Sequence, residues 1–255
     1  MNVLDTAAVF AAGVAAGCIN AIVGSGSLIT FPTLVALGYP PVVANVSNNI
    51  GLVTGNVSGV YGYRRELKGQ RDRLLRLGTA SLIGAVTGGL LLLTLPPEAF
   101  DIIVPGLIAI AVVLVIVQPR LQRWVLARRE GHSAHGGAWL WLGVLGAGVY
   151  GGYFGAAQGV ILIAMLAIAL DDDLQALNAT KNVLSSVVNG AAAVLFTLMW
   201  AFGSTEVSWM AVLLIALGSG VGGLIGAKVG RRFPPAVLRG VIVAVGVAAI
   251  VNLVG

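Results

Sequence analysis

Long apolar stretches follow one another along this chain, at positions 5 to 38, 41 to 62, 77 to 95, 101 to 118, 138 to 170, 174 to 200, 208 to 227 and 236 to 254. Crossing a hydrocarbon layer of about 30 Å takes about 20 apolar residues in helical form, so each stretch predicts at least one membrane-embedded helix. Pro40-Pro41, Pro96-Pro97 and Pro234-Pro235 separate them, as expected at helix ends, where a missing backbone donor costs least. The stretches 5 to 38 and 138 to 170 are too long for one crossing, because about 33 residues at 1.5 Å each make about 50 Å of helix. Each is interrupted by small and polar residues, Gly24-Ser25-Gly26-Ser27 in one and Gly155-Ala156-Ala157-Gln158-Gly159 in the other. They predict pairs of shortened helices that meet at bends inside the membrane, at Gly26 and Gly159. A tilted, unbroken helix is the alternative.

Composition narrows the class further. Of 255 residues, 58% are hydrophobic and only 10% charged, against about 25% charged in an average soluble chain, and the mean hydropathy is +0.96. An all-α integral membrane protein with no separate extramembrane domain follows. The single cysteine, Cys18, forms no intramolecular disulfide and says nothing of redox compartment. Val14 to Cys18 superficially resembles a lipoprotein processing site, yet the residues before it hold Asp5 and no Lys or Arg, whereas a cleaved signal needs a basic start. The net charge of +5 does not imply nucleic acid. Arg64, Arg65, Lys68, Arg71, Arg73 and Arg76, then Arg120, Arg123, Arg128 and Arg129, lie in short loops beside membrane spans, where Lys and Arg set orientation.

The chain also repeats itself. An offset of 133 sets Gly13 on Gly146, Gly26 on Gly159, Asn45 on Asn178, Ser47 on Thr180, Asn48 on Lys181, Asn49 on Asn182 and Asn56 on Asn189. An offset of 138 then sets Ser81 on Ser219, Gly84 on Gly222, Gly88 on Gly226 and Pro96-Pro97 on Pro234-Pro235. Polar matches in register at membrane positions are the sign of duplication. Repeat 1 takes residues 1–118, a basic cytoplasmic linker 119–137, and repeat 2 residues 138–255. Four single crossings per half would make the repeats parallel and put Lys228, Arg231 and Arg232 opposite the other basic loops. Five elements per half invert the second copy and bring all three basic clusters to one side, as the positive-inside rule asks.

Polar side chains in hydrocarbon are costly unless paired or lining a cavity, so the clusters Asn45, Ser47, Asn48, Asn49 and Asn178, Thr180, Lys181, Asn182 are candidate substrate-binding residues. The Asn residues serve equally well as interhelical hydrogen-bond glue. Lys181 lies well inside an apolar stretch with no Asp or Glu in any span to pair with it. It either snorkels toward Asp171, Asp172 or Asp173 or awaits an anion. The bends point to an anion as well: half-helices starting in mid-membrane present unpaired N–H groups and positive dipole ends. Ser25, Gly26, Ser27, Gln158 and Gly159 join the candidate site, and Asn20 and Tyr153 either line it or pack beside it.

Other chemistries fall away. His132 and His135 sit in a polar loop, so neither a metal site nor a serine hydrolase has its histidine. Ser25 and Ser27 have no base placed to activate them, and no Walker-type phosphate loop occurs. The protein is expected not to be an enzyme and to need no cofactor.

Together the residues resemble the sulfite exporter TauE/SafE family, small transporters for anions of sulfur and organosulfonates. The likeness rests on Gly13 to Pro32, Ala44 to Asn48, Tyr61 to Leu67, Tyr150 to Gly155 with Gln158-Gly159, Asn178 to Asn182, and Gly230-Arg231-Arg232. The sequence departs from the family at the first bend, where Ser25 and Ser27 interrupt what is often a run of glycines. The resemblance implies a secondary transporter of the bacterial cytoplasmic membrane exporting sulfite-like anions, with a small anion and membrane lipid as partners. An anion channel, or a membrane-embedded enzyme or scaffold subunit, are the rival classes; the oligomeric state has no signature in the sequence.

Overall fold

The computed structural model describes residues 1–127, 137–229 and 235–254; His132, His135, Arg128, Arg129, Arg231 and Arg232 lie outside the described residues. Among the described residues there are ten helices and no strand: α1 Val3–Ile22, α2 Ser27–Ala36, α3 Pro41–Gly62, α4 Arg71–Thr94, α5 Pro97–Ala127, α6 Ala138–Tyr153, α7 Gln158–Ala169, α8 Leu174–Ala201, α9 Trp209–Val229 and α10 Pro235–Val254. Five of them, α1, α4, α5 (over Pro97–Arg120), α8 and α9, are long and apolar enough to cross a membrane. Exposed Leu, Ile and Val line their outer faces, the surface expected of helices solvated by lipid.

Local signals set the helix starts. Asn2 and Asp5 form a reciprocal capping box on α1, and the Asp173 carboxylate accepts from the Gln175 and Ala176 N–H groups at the start of α8. Proline opens α3, α5 and α10, where its missing N–H is no loss. The start of α4 is six residues earlier than the apolar stretch suggests, because its charged first turn, Arg71 to Arg76, is helical without being apolar. Helix α5 runs on to Ala127, into the stretch expected as linker.

Both long opening stretches are broken, with two corrections. The turns come at Gly24 (φ 86°) and at Gly155 (φ 78°) with Ala157 (φ 59°), not at Gly26 and Gly159, because the left-handed region admits glycine most readily. The first partner of each pair is also less shortened than expected. Helix α1 has 20 residues while α2 has only 10; α6 and α7 have 16 and 12.

Packing between the halves is intimate. Along α1 and α9, a Cβ placed on Gly17 would strike the Ser219 backbone, one on Gly222 the Val14 carbonyl and one on Gly226 the Cys18 carbonyl. Helices α4 and α6 meet the same way, Gly84 against Leu145, Gly88 against Val149 and Gly152 against Ala85. Such small-residue seams let backbones approach where lipid offers no hydrophobic drive to association. In both seams residue numbers rise together, so the paired helices run in the same direction. Helix α3 likewise runs alongside α9 in the same sense, with Gly51 at Ile215, Gly55 at Ser219 and Gly62 at Ala227. Helix α8 runs against α3, since Gly59 lies beside Asn182 and Tyr63 packs with Ala179.

These seams predict a sharp contrast between two glycines. Gly222→Ala should lower the stability of the detergent-solubilised protein by about 1–3 kcal/mol through overpacking. Gly146→Ala, on α6 with open space around it, should cause no loss; thermal unfolding of both variants checks this.

Candidate functional site

A helix that stops inside a membrane leaves its last carbonyls without intrahelical partners and without water. Where α1 stops, the other half of the chain supplies the donors. Lys181 Nζ donates to the Asn20 carbonyl at 2.9 Å and the Ala21 carbonyl at 3.5 Å, Asn178 Nδ2 to Ala21 O at 3.0 Å, and Asn182 Nδ2 to Ala21 O at 3.3 Å. Where α6 stops, the exchange is returned: Asn45 Nδ2, on α3, donates to the Tyr153 carbonyl at 2.8 Å. Lys181 is wholly buried. It neither reaches solvent nor pairs with Asp171, Asp172 or Asp173; backbone carbonyls hold its charge.

The two bends touch each other. Gly159 N donates to Gly24 O at 3.0 Å, and a Cβ on either glycine would collide with the other's Cα. Neither α2 nor α7 has a side-chain cap on its N-terminus. The Gly26 N–H at the start of α2 is nevertheless engaged, donating to Asn20 Oδ1 at 2.6 Å. Phe31, Phe100 and Phe154 wedge edge-to-face behind the bends, with ring centroids 5.2 to 6.5 Å apart.

Between the bends lies a small polar cavity with about 10 Å³ of free space, room for about one water molecule. Asn20, Gly24, Ser27 and Asn56 line it from the first half, and Gly155, Gln158, Gly159, Ser185 and Asn189 from the second. Asn56 Nδ2 and Gln158 Nε2 are buried donors without partners. Asn56 meets Asn20 only through its oxygen, which accepts from Asn20 Nδ2 at 3.4 Å. Buried orphan donors are costly, and both belong to residues that line this one cavity, the Gln158 amide lying beside Gly151 of α6.

The expected site residues therefore divide. Asn20, Ser27, Gln158 and Gly159 line the cavity. Asn45, Asn178, Lys181 and Asn182 hold the ends of α1 and α6 behind it. Asn48 accepts from the Thr30 hydroxyl, which ties α3 to α2. Ser47 Oγ accepts from Ser208 N at 2.9 Å, and Thr180 Oγ1 donates to Gln70 Oε1 at 2.5 Å. Gln70 and Ser208 are themselves partners at the 138-residue offset. Asn49 is buried with its Oδ1 unpaired, Ser25 likewise with its hydroxyl. Gly26 caps α2, and Tyr153 packs its ring on Phe100, 5.7 Å between centroids.

Sequence reasoning missed Ser185 and did not promote Asn56 and Asn189 to the site, although their repeat register pointed there. It also missed a polar chain at the rim. Arg73, buried near the start of α4, pairs with Asp172 and donates to Gln70 Oε1 at 2.6 Å, linking the α7–α8 connection to Thr180. Its apparent place in a basic loop concealed this role.

A family model described as Sulfite exporter TauE/SafE matches residues 9–253. The chain is 28% identical over 226 residues to a probable membrane transporter protein of Haemophilus influenzae (strain ATCC 51907 / DSM 11121 / KW20 / Rd), covering 87% of this chain and 84% of that protein. It is 25% identical over 218 residues to the probable membrane transporter protein YfcA of Escherichia coli (strain K12), 85% and 76% covered. To the probable membrane transporter protein ORF9 of Sinorhizobium sp it is 27% identical over 251 residues, 96% and 90% covered. No solved structure matches the chain.

The reciprocal capping generates a prediction of its own. Asn45→Val leaves the Tyr153 carbonyl without its donor and should cost about 1–3 kcal/mol, read as a lowered melting temperature in detergent.

Proposed function

Because the chain belongs to the sulfite exporter TauE/SafE family of membrane transporters, we propose that it is a secondary transporter carrying small sulfur oxyanions or organosulfonates out of the cell. The observation that carries this reading is the cavity shared by the two bends, with Asn56 Nδ2 and Gln158 Nε2 unpaired. An oxyanion accepts from several donors at once, and the side chains of Ser27, Ser185 and Asn189 stand around the same space. Lys181 contributes from behind the wall. Its ammonium lies against the carbonyl of Asn20, a lining residue, where low dielectric lets one positive charge act over several ångströms.

The two halves act as inverted repeats. Helix α1 runs with α9 and α3, α6 runs with α4, and α3 runs against α8, which is what a half-turn about an axis in the membrane plane would produce. In that arrangement the loop with Arg64 and Arg65, the end of α5 and the end of α9 with Lys228 share one face, read as cytoplasmic by the positive-inside rule. The cytoplasmic (inner) membrane of a bacterium is the location this implies. A cell interior negative by about 100 mV favours exit of each negative charge by about 2.3 kcal/mol, so export needs no nucleotide. Transport proceeds by alternating exposure: the cavity holds about one water, so the bends must part to admit an oxyanion.

Proteoliposome flux of sulfite tests the reading. Gln158→Leu and Asn56→Leu should each cut the initial rate at least about tenfold, the loss of one charge-assisted hydrogen bond, with melting temperatures kept. Saturating flux with counterflow is expected of the carrier; ohmic, non-saturating current would overturn alternating exposure. A Lys181→Met variant that melts normally and carries sulfite at the wild-type rate would remove the charge from the proposal.

A further inference from the structure

A second cavity lies at the end of the molecule where α3 and α9 both finish. It has a volume of about 410 Å³ and is lined by Tyr61, Gly62, Arg64, Arg65, Leu224, Ala227 and Lys228. Three cations converge there, and no carboxylate among the described residues lines it. Arg64 is ordered from within, donating to Tyr61 O at 2.9 Å with its guanidinium 4.2 Å above the Tyr61 ring. Arg65 and Lys228 have no partner among the described residues. The lining is apolar on the membrane side. One turn and two turns deeper on α9, Val221 and Leu217 are exposed on the face of Leu224, and Val57 is exposed on α3 one turn below Tyr61. Residues four apart share a helix face, so the cationic cup continues into an apolar band between the two helices.

We infer that this cup is a binding site for an anionic phospholipid. Arg64, Arg65 and Lys228 take the phosphate, and the acyl chains lie along the α3–α9 band. A free phosphate would use the cations alone; a lipid uses them together with the apolar band that acyl chains already solvate. Basic residues at a membrane surface draw anionic headgroups, and the guanidinium fork suits a phosphate oxygen pair. The site is independent of the transported cargo.

Native mass spectrometry of the full chain in neutral detergent, titrated with dioleoylphosphatidylglycerol or dioleoylphosphatidylcholine, tests the assignment. Phosphatidylglycerol should bind at least about tenfold more tightly than phosphatidylcholine. Removing two cations with Arg65→Gln and Lys228→Gln together should weaken it about twenty-five-fold, at about fivefold per surface cation. Lys68→Gln, an exposed cation of the same loop outside the lining, should leave binding unchanged and controls for loop charge. Inorganic phosphate in large molar excess over the lipid should not displace it. Equal binding of the two lipids, retention of phosphatidylglycerol by the double variant, or displacement by inorganic phosphate would each overturn the assignment, the last in favour of a free-anion site.

Discussion

The structure depends on how two helix ends are satisfied inside hydrocarbon. A broken helix in lipid exposes carbonyls that neither water nor a following turn can reach, at several kcal/mol for each group left unmet. In this protein each half cures the defect of the other. Helix α8 of the second half donates from Asn178, Lys181 and Asn182 to the end of α1, and α3 of the first half donates from Asn45 to the end of α6. Each bend thus depends on donors supplied by the other half of the chain. The exchange is unequal: a cation and two amides serve α1, one amide serves α6, and the net positive charge falls beside Asn20 on the cavity wall.

That inequality reconciles two roles that compete on paper for Lys181. An ammonium bonded to backbone carbonyls neutralises only the partial negative charge of a helix end. Most of its field survives, and it is held rigidly where burial prevents water from screening it. A lysine that touched the anion directly would bind tightly and release slowly. In the proposed carrier, one set behind a wall of amides would raise the potential of the whole cavity while leaving the contacts to the neutral donors Asn56 and Gln158.

Much of the fold was legible because hydropathy and helix length are linked so directly in membranes. The stretches 41 to 62 and 174 to 200 match α3 and α8 within a residue, and the breaks near Gly24-Ser25-Gly26-Ser27 and Gly155 to Gly159 follow from excess length alone. The turn residues were not legible, since several glycines stand within a few positions and only the three-dimensional path selects Gly24 and Gly155 for positive φ. At the site, the polar clusters were found but their duties were not. A search for carboxylate partners overlooks backbone carbonyls, which every residue carries and no letter of the sequence records. Arg73 was misplaced for the converse reason: its neighbours are charged, so its burial against Gln70 and Asp172 had no signature in composition.

Motion, in a carrier of the proposed kind, has to respect which contacts can open. The glycine seams bind α1 and α3 to α9, and α4 to α6, with backbones in contact; parting them would strip van der Waals contact with nothing in lipid to replace it. Helix α8 touches both sets, with Gly89 of α4 packed on its Leu195, Thr180 bonded to Gln70, and Asn182 and Ala179 beside Gly59 and Tyr63 at the end of α3. The contacts between the two sets at the bends are of another kind: hydrogen bonds from α8 to α1, from α3 to α6, and between Gly24 and Gly159. Entering water can replace such bonds one at a time. In such a carrier the hydrogen bonds at the bends are the contacts that can open, while the glycine seams, each built from both halves of the chain, stay closed.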